Sequence, residues 1–221
     1  MLKNLLGTER RWLVADATSV STRYRLSFSV GGLFLQGASI GAGLYLELRD
    51  WRAVRAAIDA DNLLQARTVA SAKRVGRELV QRLAELTDDE LRLLLDATAA
   101  ERGHLMWVAA CRRYVLIGEF AEEVVRERFL LFARSLAPEH FESFVRAKSM
   151  WHEELSSLTD PTLRKLRTTV FLMLREAGLL SESGEILASV LSPRVTRELQ
   201  KRVPSDGRFF PVIPEVIGVV R

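Results

Sequence analysis

A series of basic side chains between residues 65 and 77 has the composition to bind phosphate groups. It contains four cations and no acid: Arg67, Lys73, Arg74 and Arg77. Thr68 and Ser71 add hydroxyl donors to the same stretch. Arginine presents a planar fork of donors that fits phosphate oxygens and guanine edges, and hydroxyl groups bond to phosphates as well. The pattern predicts contact with double-stranded DNA, and the alternative is an ordinary solvated helix face.

A second candidate set lies farther along the chain, on one predicted helix. Its members are polar or basic: Arg164, Lys165, Thr168 and Arg175. At 100° per residue, most of this set falls opposite the predicted core stripe of the helix, but Phe171 and Leu172 fall on the same side. The helix is therefore apolar most of the way round, and the alternative to DNA contact is packing within the core.

The residue types that catalysis or metal binding requires do not converge in the sequence. None of the three histidines has a second histidine at helical spacing, and no glycine-rich phosphate loop with its lysine occurs. Cys111 lies in an apolar stretch and is predicted to be a core residue, although Arg112 and Arg113 beside it would lower its pKa. Trp107 and Trp151 are interpreted as core anchors. We predict a protein that is not an enzyme, with no catalytic residue, no metal and no cofactor.

Length, composition and cysteine usage bound the class of protein. Of the 221 residues, 48% are hydrophobic and 27% are charged, which excludes a disordered chain. The single cysteine cannot form an internal disulfide, and no leader pattern opens the sequence. We predict a cytoplasmic protein and expect a monomer.

Charge is segregated along the chain, although the net charge is only +4. Residues 49–86 carry eight basic and five acidic side chains, residues 87–127 carry five and nine, and residues 146–175 carry six and three. Two basic blocks therefore flank an acidic centre. The basic blocks suit DNA, whereas the acidic centre leaves open a protein-interaction scaffold.

An uncharged run between Arg25 and Glu47 raises the question of a membrane span. The run contains five glycines, three serines and a glutamine, so it has too little apolar side chain for a span of about 20 residues. The spacing of Gly37 and Gly41 instead favours a helix that packs closely against a neighbour. We predict no membrane association.

Periodicity and capping residues predict the elements that position these side chains. The predicted helices cover residues 2–17, 33–48, 51–60, 65–86, 101–114, 118–133, 138–150, 161–178 and 193–202, and Thr87 with Glu90 opens one more. Alternating apolar residues predict a strand over residues 24–30, and Ser183-Gly184 predicts a small hairpin within residues 179–187.

The predicted fold class is mainly α, a helical globular fold with two helix-turn-helix or winged-helix-like units and at most short hairpins. The first unit comes from the helix pair within residues 51–86 and the second from the pair followed by the hairpin. The predicted divisions are an N-terminal helix and short strand (1–30), an N-terminal helix-turn-helix unit (31–86), an acidic helical middle (87–137), a C-terminal winged-helix-like unit (138–203) and a proline-containing tail (204–221).

Several segments carry a resemblance to a known family. They include Gly31-Gly32-Leu33-Phe34-Leu35, Asp61-Asn62-Leu63-Leu64-Gln65, Cys111-Arg112-Arg113-Tyr114, Glu176-Ala177-Gly178-Leu179-Leu180 and Leu191-Ser192-Pro193-Arg194. The chain between residues 31 and 194 resembles the BrxA family of bacteriophage exclusion (BREX) systems. Gln36-Gly37-Ala38 and Glu153 depart from the family's pattern.

The resemblance implies a mostly helical, non-enzymatic protein that binds double-stranded DNA through helix-turn-helix elements. It also implies other BREX proteins as partners, among them a DNA methyltransferase and an ATPase. The residues before 31 and the tail lie outside the resemblance, so it implies nothing about them.

Overall fold

Helices make up most of the chain in this computed structural model, which describes residues 23–28 and 31–212. Eleven α-helices occur among the described residues: α1 Leu35–Leu48, α2 Trp51–Ala60, α3 Val69–Leu83, α4 Asp88–Asp96, α5 Ala99–Arg113, α6 Val115–Phe120, α7 Glu127–Leu130, α8 Pro138–Lys148, α9 Glu153–Ser156, α10 Asp160–Glu176 and α11 Pro193–Gln200. A π-helical turn, Ala121–Arg126, joins α6 to α7, and a 3₁₀ turn spans Asp206–Phe209. The mainly α fold class is confirmed. The predicted helix over residues 2–17 and most of the tail lie outside the described residues.

Three of the predicted helix starts agree with the structure and have a side-chain cap. The Asp50 carboxylate accepts from the Arg52 amide at 2.8 Å and opens α2. Thr87 and Glu90 form the predicted capping box of α4. Ser192 caps α11. These side chains satisfy amides that have no partner within the helix, so the position of each cap fixes where its helix begins.

Helix α3 begins later than predicted because the Asn62 side chain forms hydrogen bonds with the backbone of the turn that precedes the helix. Asn62 accepts from the Ala66 amide at 3.0 Å and donates to the Ala66 carbonyl at 3.2 Å. Asn62 and Gln65 both have positive φ, at 45° and 51°, a conformation that interrupts a right-handed helix. The helix therefore starts at Val69 and not at residue 65.

Helix α5 lies at the centre of the hydrophobic core. Its residues from Gly103 to Cys111 are all buried, and the Trp107 indole donates to the Phe209 carbonyl at 3.0 Å. Cys111 is a core residue, as predicted. Burial raises the pKa of the thiol well above its usual value, and this outweighs the opposing effect of Arg112, which acts in the expected direction.

A buried ion-pair network joins α5 to two other parts of the fold. Arg112 donates to the two Glu90 carboxylate oxygens at 2.7 and 2.6 Å, to Asp206 Oδ2 at 2.9 Å and to the Glu85 carbonyl at 2.9 Å. Burial opposes ionisation of Glu90, but the bonds from Arg112 and Thr87 outweigh it and hold the pKa of Glu90 below its usual value. The network therefore connects α4, α5 and the 3₁₀ turn.

Three predictions about local structure are wrong, and a fourth, the small hairpin, holds only in part. Residues 23–28 form no strand, although Tyr24 and Phe28 are buried as the alternation suggested. Trp151 was expected in the core and is 79% exposed. The predicted helix over residues 118–133 belongs to a longer helical stretch that begins at Val115 and passes through the π-helical turn. The hairpin is reduced to an isolated antiparallel bridge between Leu180 and Ile186.

The glycines of α1 make the close contacts that their spacing predicts. A Cβ atom at Gly37 would lie 2.6 Å from Leu64 Cδ2, and one at Gly41 would lie 2.5 Å from Leu83 Cδ1. Gly43, on the same helix, has only Leu95 near it, at 3.6 Å. The small residues of α1 therefore allow close contact with the loop before α3 and with α3 itself.

Among residues 23–28 and 31–212, none of the helices has the length and apolar content that a membrane span requires.

Overpacking α1 should destabilise the fold. We expect Gly37→Leu and Gly41→Leu each to lower the free energy of unfolding by about 1 to 3 kcal/mol, because the new side chain overlaps Leu64 or Leu83. Gly43→Ala is the control and should be neutral or stabilising by up to about 1 kcal/mol, because alanine favours a helix interior. Denaturant melts measure all three. A Gly41→Leu protein as stable as the parent would contradict this packing.

The Arg112 network should make stability depend on pH in the acid range. The folded pKa of Glu90 lies below its ordinary value of 4.5, so its ionised form contributes stability above that pH and loses it as the pH falls. We expect Glu90→Gln to cost about 3 kcal/mol at neutral pH. The difference from the parent should shrink below about pH 4.5, because a protonated Glu90 resembles glutamine. Urea melts across this range measure it, and a constant difference would contradict the argument.

Candidate nucleic-acid interface

Four cations project from the start of α3 and from the residue just before its cap. We call Arg67, Lys73, Arg74 and Arg77 the first basic set, and each of them is exposed. The ion pairs that α2 and α3 form within the described chain are Arg55 with Asp59 and Arg82 with Glu78. The first basic set therefore has no anionic partner among the described residues.

Thr68 and Ser71, also predicted to contact DNA, build the first turn of α3. Thr68 Oγ1 accepts from the Ser71 amide at 3.1 Å, and the Thr68 amide donates to Ser71 Oγ at 3.2 Å. The two hydroxyl oxygens lie 2.7 Å apart. This reciprocal cap determines where α3 begins, and the positive end of its dipole then lies beside the first basic set.

The second half of α3 faces the protein interior and carries its acid there. Helical periodicity places Glu78 on the same side of α3 as Arg74 and Arg77, but only 2% of Glu78 is exposed, and it accepts a hydrogen bond from the Tyr114 hydroxyl. Arg82, one turn on, is also fully buried. Burial of Glu78 therefore removes one carboxylate of α3 from the surface that displays the first basic set.

The structure divides the second candidate set. Arg164, Lys165 and Thr168 are exposed on the first half of α10, and the Thr168 hydroxyl donates back to the Arg164 carbonyl at 2.9 Å. Arg175 is only partly exposed and pairs with Glu182 of the hairpin at 3.4 Å. Phe171, which falls opposite the predicted core stripe, is buried, as the packing alternative expects. Arg175 thus takes part in an ion pair within the protein. The exposed members of the set, Arg164, Lys165 and Thr168, lie in the first half of α10.

Sequence reasoning missed one basic residue beside this helix. Arg146 of α8 and Arg164 line a groove with a volume of about 390 Å³ between α8, α9 and α10. The groove also contains Glu142 and Asp160, so its charge is mixed. We call Arg146, Arg164 and Lys165 the second basic set. Arg146 precedes Arg164 by more than a helix length, so no periodicity within one helix connects the two residues.

The acids in the middle of the chain are engaged in ion pairs, and Lys148 and Arg194 each serve two of them. Every acid between residues 87 and 127 lies within ion-pairing distance of a cation: Asp88, Asp89, Glu90, Asp96, Glu101, Glu119, Glu122, Glu123 and Glu127. Several of these cations come from distant segments, such as Arg49, Arg194 and Lys201. The charge left without a partner among the described residues of α3 is positive. Among the described residues, no group of three potential metal ligands converges.

The structure therefore defines a mainly helical protein that displays two sets of cations without an anionic partner among its described residues, one on the first half of α3 and one around the groove between α8 and α10. The chain belongs to the BrxA family, whose sequence model matches residues 22–203. The match agrees with the segments that carry the sequence resemblance. It also identifies the chain as a component of a BREX phage-defence system, and the family name implies a non-catalytic one.

Individual relatives agree with this assignment. The BREX protein BrxA of Paramagnetospirillum magneticum is 27% identical over 161 residues, which are 73% of this chain and 81% of the relative. BREX protein BrxA of Escherichia coli O9:H4 is 26% identical over 178 residues, 80% of this chain and 84% of the relative. A crystal structure of an uncharacterized protein from Magnetospirillum magneticum superposes with a TM-score of 0.73 at 24% identity, covering 86% of this chain and 98% of that one. That likeness shows a shared fold.

The cap of α3 should contribute measurable stability where the first basic set is displayed. We expect Thr68→Ala to cost about 1 kcal/mol and to speed amide exchange in the first turn of α3, because the Ser71 amide loses its acceptor. Thr159→Ala is the matched control, because Thr159 precedes α10 without accepting from a backbone amide. It should cost less than about 0.5 kcal/mol. Equal effects of the two substitutions in denaturant melts and exchange measurements would contradict the role of the cap.

Proposed function

We propose that this protein is the component of its BREX system that binds double-stranded DNA, with the first basic set as the main contact surface. One observation carries the proposal: the acids of the chain's middle and Glu78 are paired or buried, while the first basic set is exposed without an anionic partner among the described residues. A phosphate that binds these cations breaks no ion pair. Binding gains the release of counterions from the DNA.

The position of the first basic set on α3 supports contact with the DNA backbone. Arg67 and the Thr68 cap lie where the dipole of α3 presents its positive end, and Lys73, Arg74 and Arg77 follow within three turns. A helix start of this kind attracts phosphates regardless of base sequence. The proposal is therefore electrostatic binding, with any base reading by the arginine forks as a further contribution.

The second basic set supports a weaker contact through a winged-helix-like arrangement. The chain passes from α7 through the Ser135–Glu185 bridge to α8, α9 and α10, and then into the Leu180–Ile186 bridge. This order of helices and hairpin is that of a winged helix, which supports the second unit. Its hairpin carries Glu182 and Glu185, however, and carboxylates repel phosphates. We therefore assign DNA contact to Arg146, Arg164 and Lys165 and not to Arg175.

Partners within the defence system remain part of the proposal. We propose a monomer that has no cofactor and meets other BREX proteins, such as a methyltransferase or an ATPase, while bound to DNA. The alternative is a scaffold that has no direct role on DNA and whose basic surface meets an acidic protein. The two functions differ in a simple observable, because only the first requires binding to bare duplexes.

Removing the first basic set should weaken DNA binding and flatten its salt dependence. For the triple variant Arg67→Ala, Arg74→Ala and Arg77→Ala, we expect affinity at moderate salt to fall about tenfold or more. The slope of log affinity against log salt should fall by about 0.9 per arginine, because each lost phosphate contact releases fewer counterions. Titrations of fluorescent duplexes of two unrelated sequences at several salt concentrations measure both quantities.

A charge-matched variant provides the control. Arg49, Arg92 and Lys201 are about half exposed, and each pairs with Asp88 or Asp89. Changing these three residues to alanine removes the same net charge from a surface already neutralised by acids. Affinity should then fall less than about threefold, because paired surface ions contribute little. If both triple variants lose the same affinity, the loss reflects net charge and contradicts a specific role of the first basic set. If the parent protein does not bind duplex DNA even at low salt, the scaffold function is favoured.

A further inference from the structure

Two large apolar side chains are exposed side by side at the turn between α8 and α9. Met150 is 76% exposed and Trp151 is 79% exposed, and we call this pair the Trp151 patch. Tryptophan is seldom left in water to this extent, and an apolar patch with a polar rim marks a contact surface. The patch lies beside Glu153, whose carboxylate is also exposed.

The described chain begins at this patch. Arg23 and Trp151 line one depression with His152, Glu153 and Glu154. The next residue, Tyr24, is held there by three contacts: its amide donates to Glu154 at 2.6 Å, its hydroxyl donates to Glu119 at 2.6 Å, and its ring lies 4.1 Å from that of His152. The chain that precedes residue 23 therefore leaves from the edge of the Trp151 patch.

The preceding 22 residues have the composition to cover such a surface. They contain apolar side chains at the spacing of a predicted helix side: Leu5, Leu6, Trp12 and Leu13. They also contain Lys3, Arg10 and Arg11 against two acids, a basic excess that complements Glu153 and Glu154. A helix of 16 residues is about 24 Å long, which is ample for an adjacent patch.

We propose that residues 1–22 dock as an arm across the Trp151 patch of the same molecule, with the apolar side of the arm on Met150 and Trp151. The tether favours this occupant over a separate partner, because a short linker holds the arm near the patch at an effective concentration in the millimolar range. The acidic rim disfavours DNA at this surface. The family model matches residues 22–203, so nearly all of the arm lies outside the matched region, and the proposal does not depend on DNA binding.

Thiol labelling of the full-length protein tests the arm. Cys111 is buried, so an engineered cysteine dominates reaction with a maleimide. In the Met150→Cys protein, we expect the added substitutions Leu5→Asn and Leu13→Asn to raise the labelling rate about tenfold or more, because the arm no longer protects the site. Trp151 stays in place in both proteins, so the docking surface keeps its aromatic ring.

A cysteine at an exposed site distant in sequence is the matched control. Val190 is 85% exposed, and the same arm substitutions should change labelling of the Val190→Cys protein by less than about twofold, because the described residues leave that site open and the proposed arm does not reach it. The proposal is overturned if the arm substitutions leave the rate for Met150→Cys unchanged. It is also overturned if protection appears only at concentrations where the protein sediments as a dimer, since the occupant is then a second copy.

Discussion

A buried guanidinium group fixes the helix on which the proposed DNA contact depends. Arg82 has no exposed surface, and removing a cation from water costs several kcal/mol. Its compensation comes from the Gly32 carbonyl, from the rings of Phe34 and Tyr114 at 4.7 and 5.7 Å, and from Glu78 at 3.9 Å. Burial nevertheless lowers the pKa of Arg82. Because these partners belong to different segments, the cation is stable only where α3, the start of α1 and the end of α5 meet.

This constraint explains why the charges of α3 are divided along its length. Glu78 is drawn inward to Arg82 and Tyr114, so its carboxylate does not pair with the cations one turn earlier. Elsewhere the same logic neutralises acids: Arg112 holds Glu90, and hydrogen bonds from Arg194 and Ser192 hold the pKa of Glu101 well below its usual value. A sequence that is acidic in its middle thus folds into a protein whose unpaired charge on α3 is positive.

The sequence predicted those features that depend on contacts between nearby residues, and it failed to predict those that depend on residues far away in the chain. The caps at Asp50 and Thr87 act within three residues, so the sequence alone predicts them. The burial of Glu78 depends on Tyr114, which lies 36 residues away, and helical periodicity carries no trace of such a partner. Arg175 was predicted to contact DNA because of its position on α10, but the following hairpin brings Glu182 into an ion pair with it. Trp151 was assigned to the core by its residue type alone, which says nothing about the turn in which it lies.

The difference between paired and unpaired cations also decides which part of a basic protein can bind DNA. Exposed ion pairs contribute little to stability, but their carboxylates place negative charge where a phosphate would approach. Arg92 is as exposed as a DNA-binding residue would be, yet it lies between Asp88 and Asp89. Arg74 and Arg77 carry the same group and form no ion pair with an acid among the described residues. Because Arg82 and Tyr114 hold Glu78 inside, the core of the protein keeps the first half of α3 available to a polyanion.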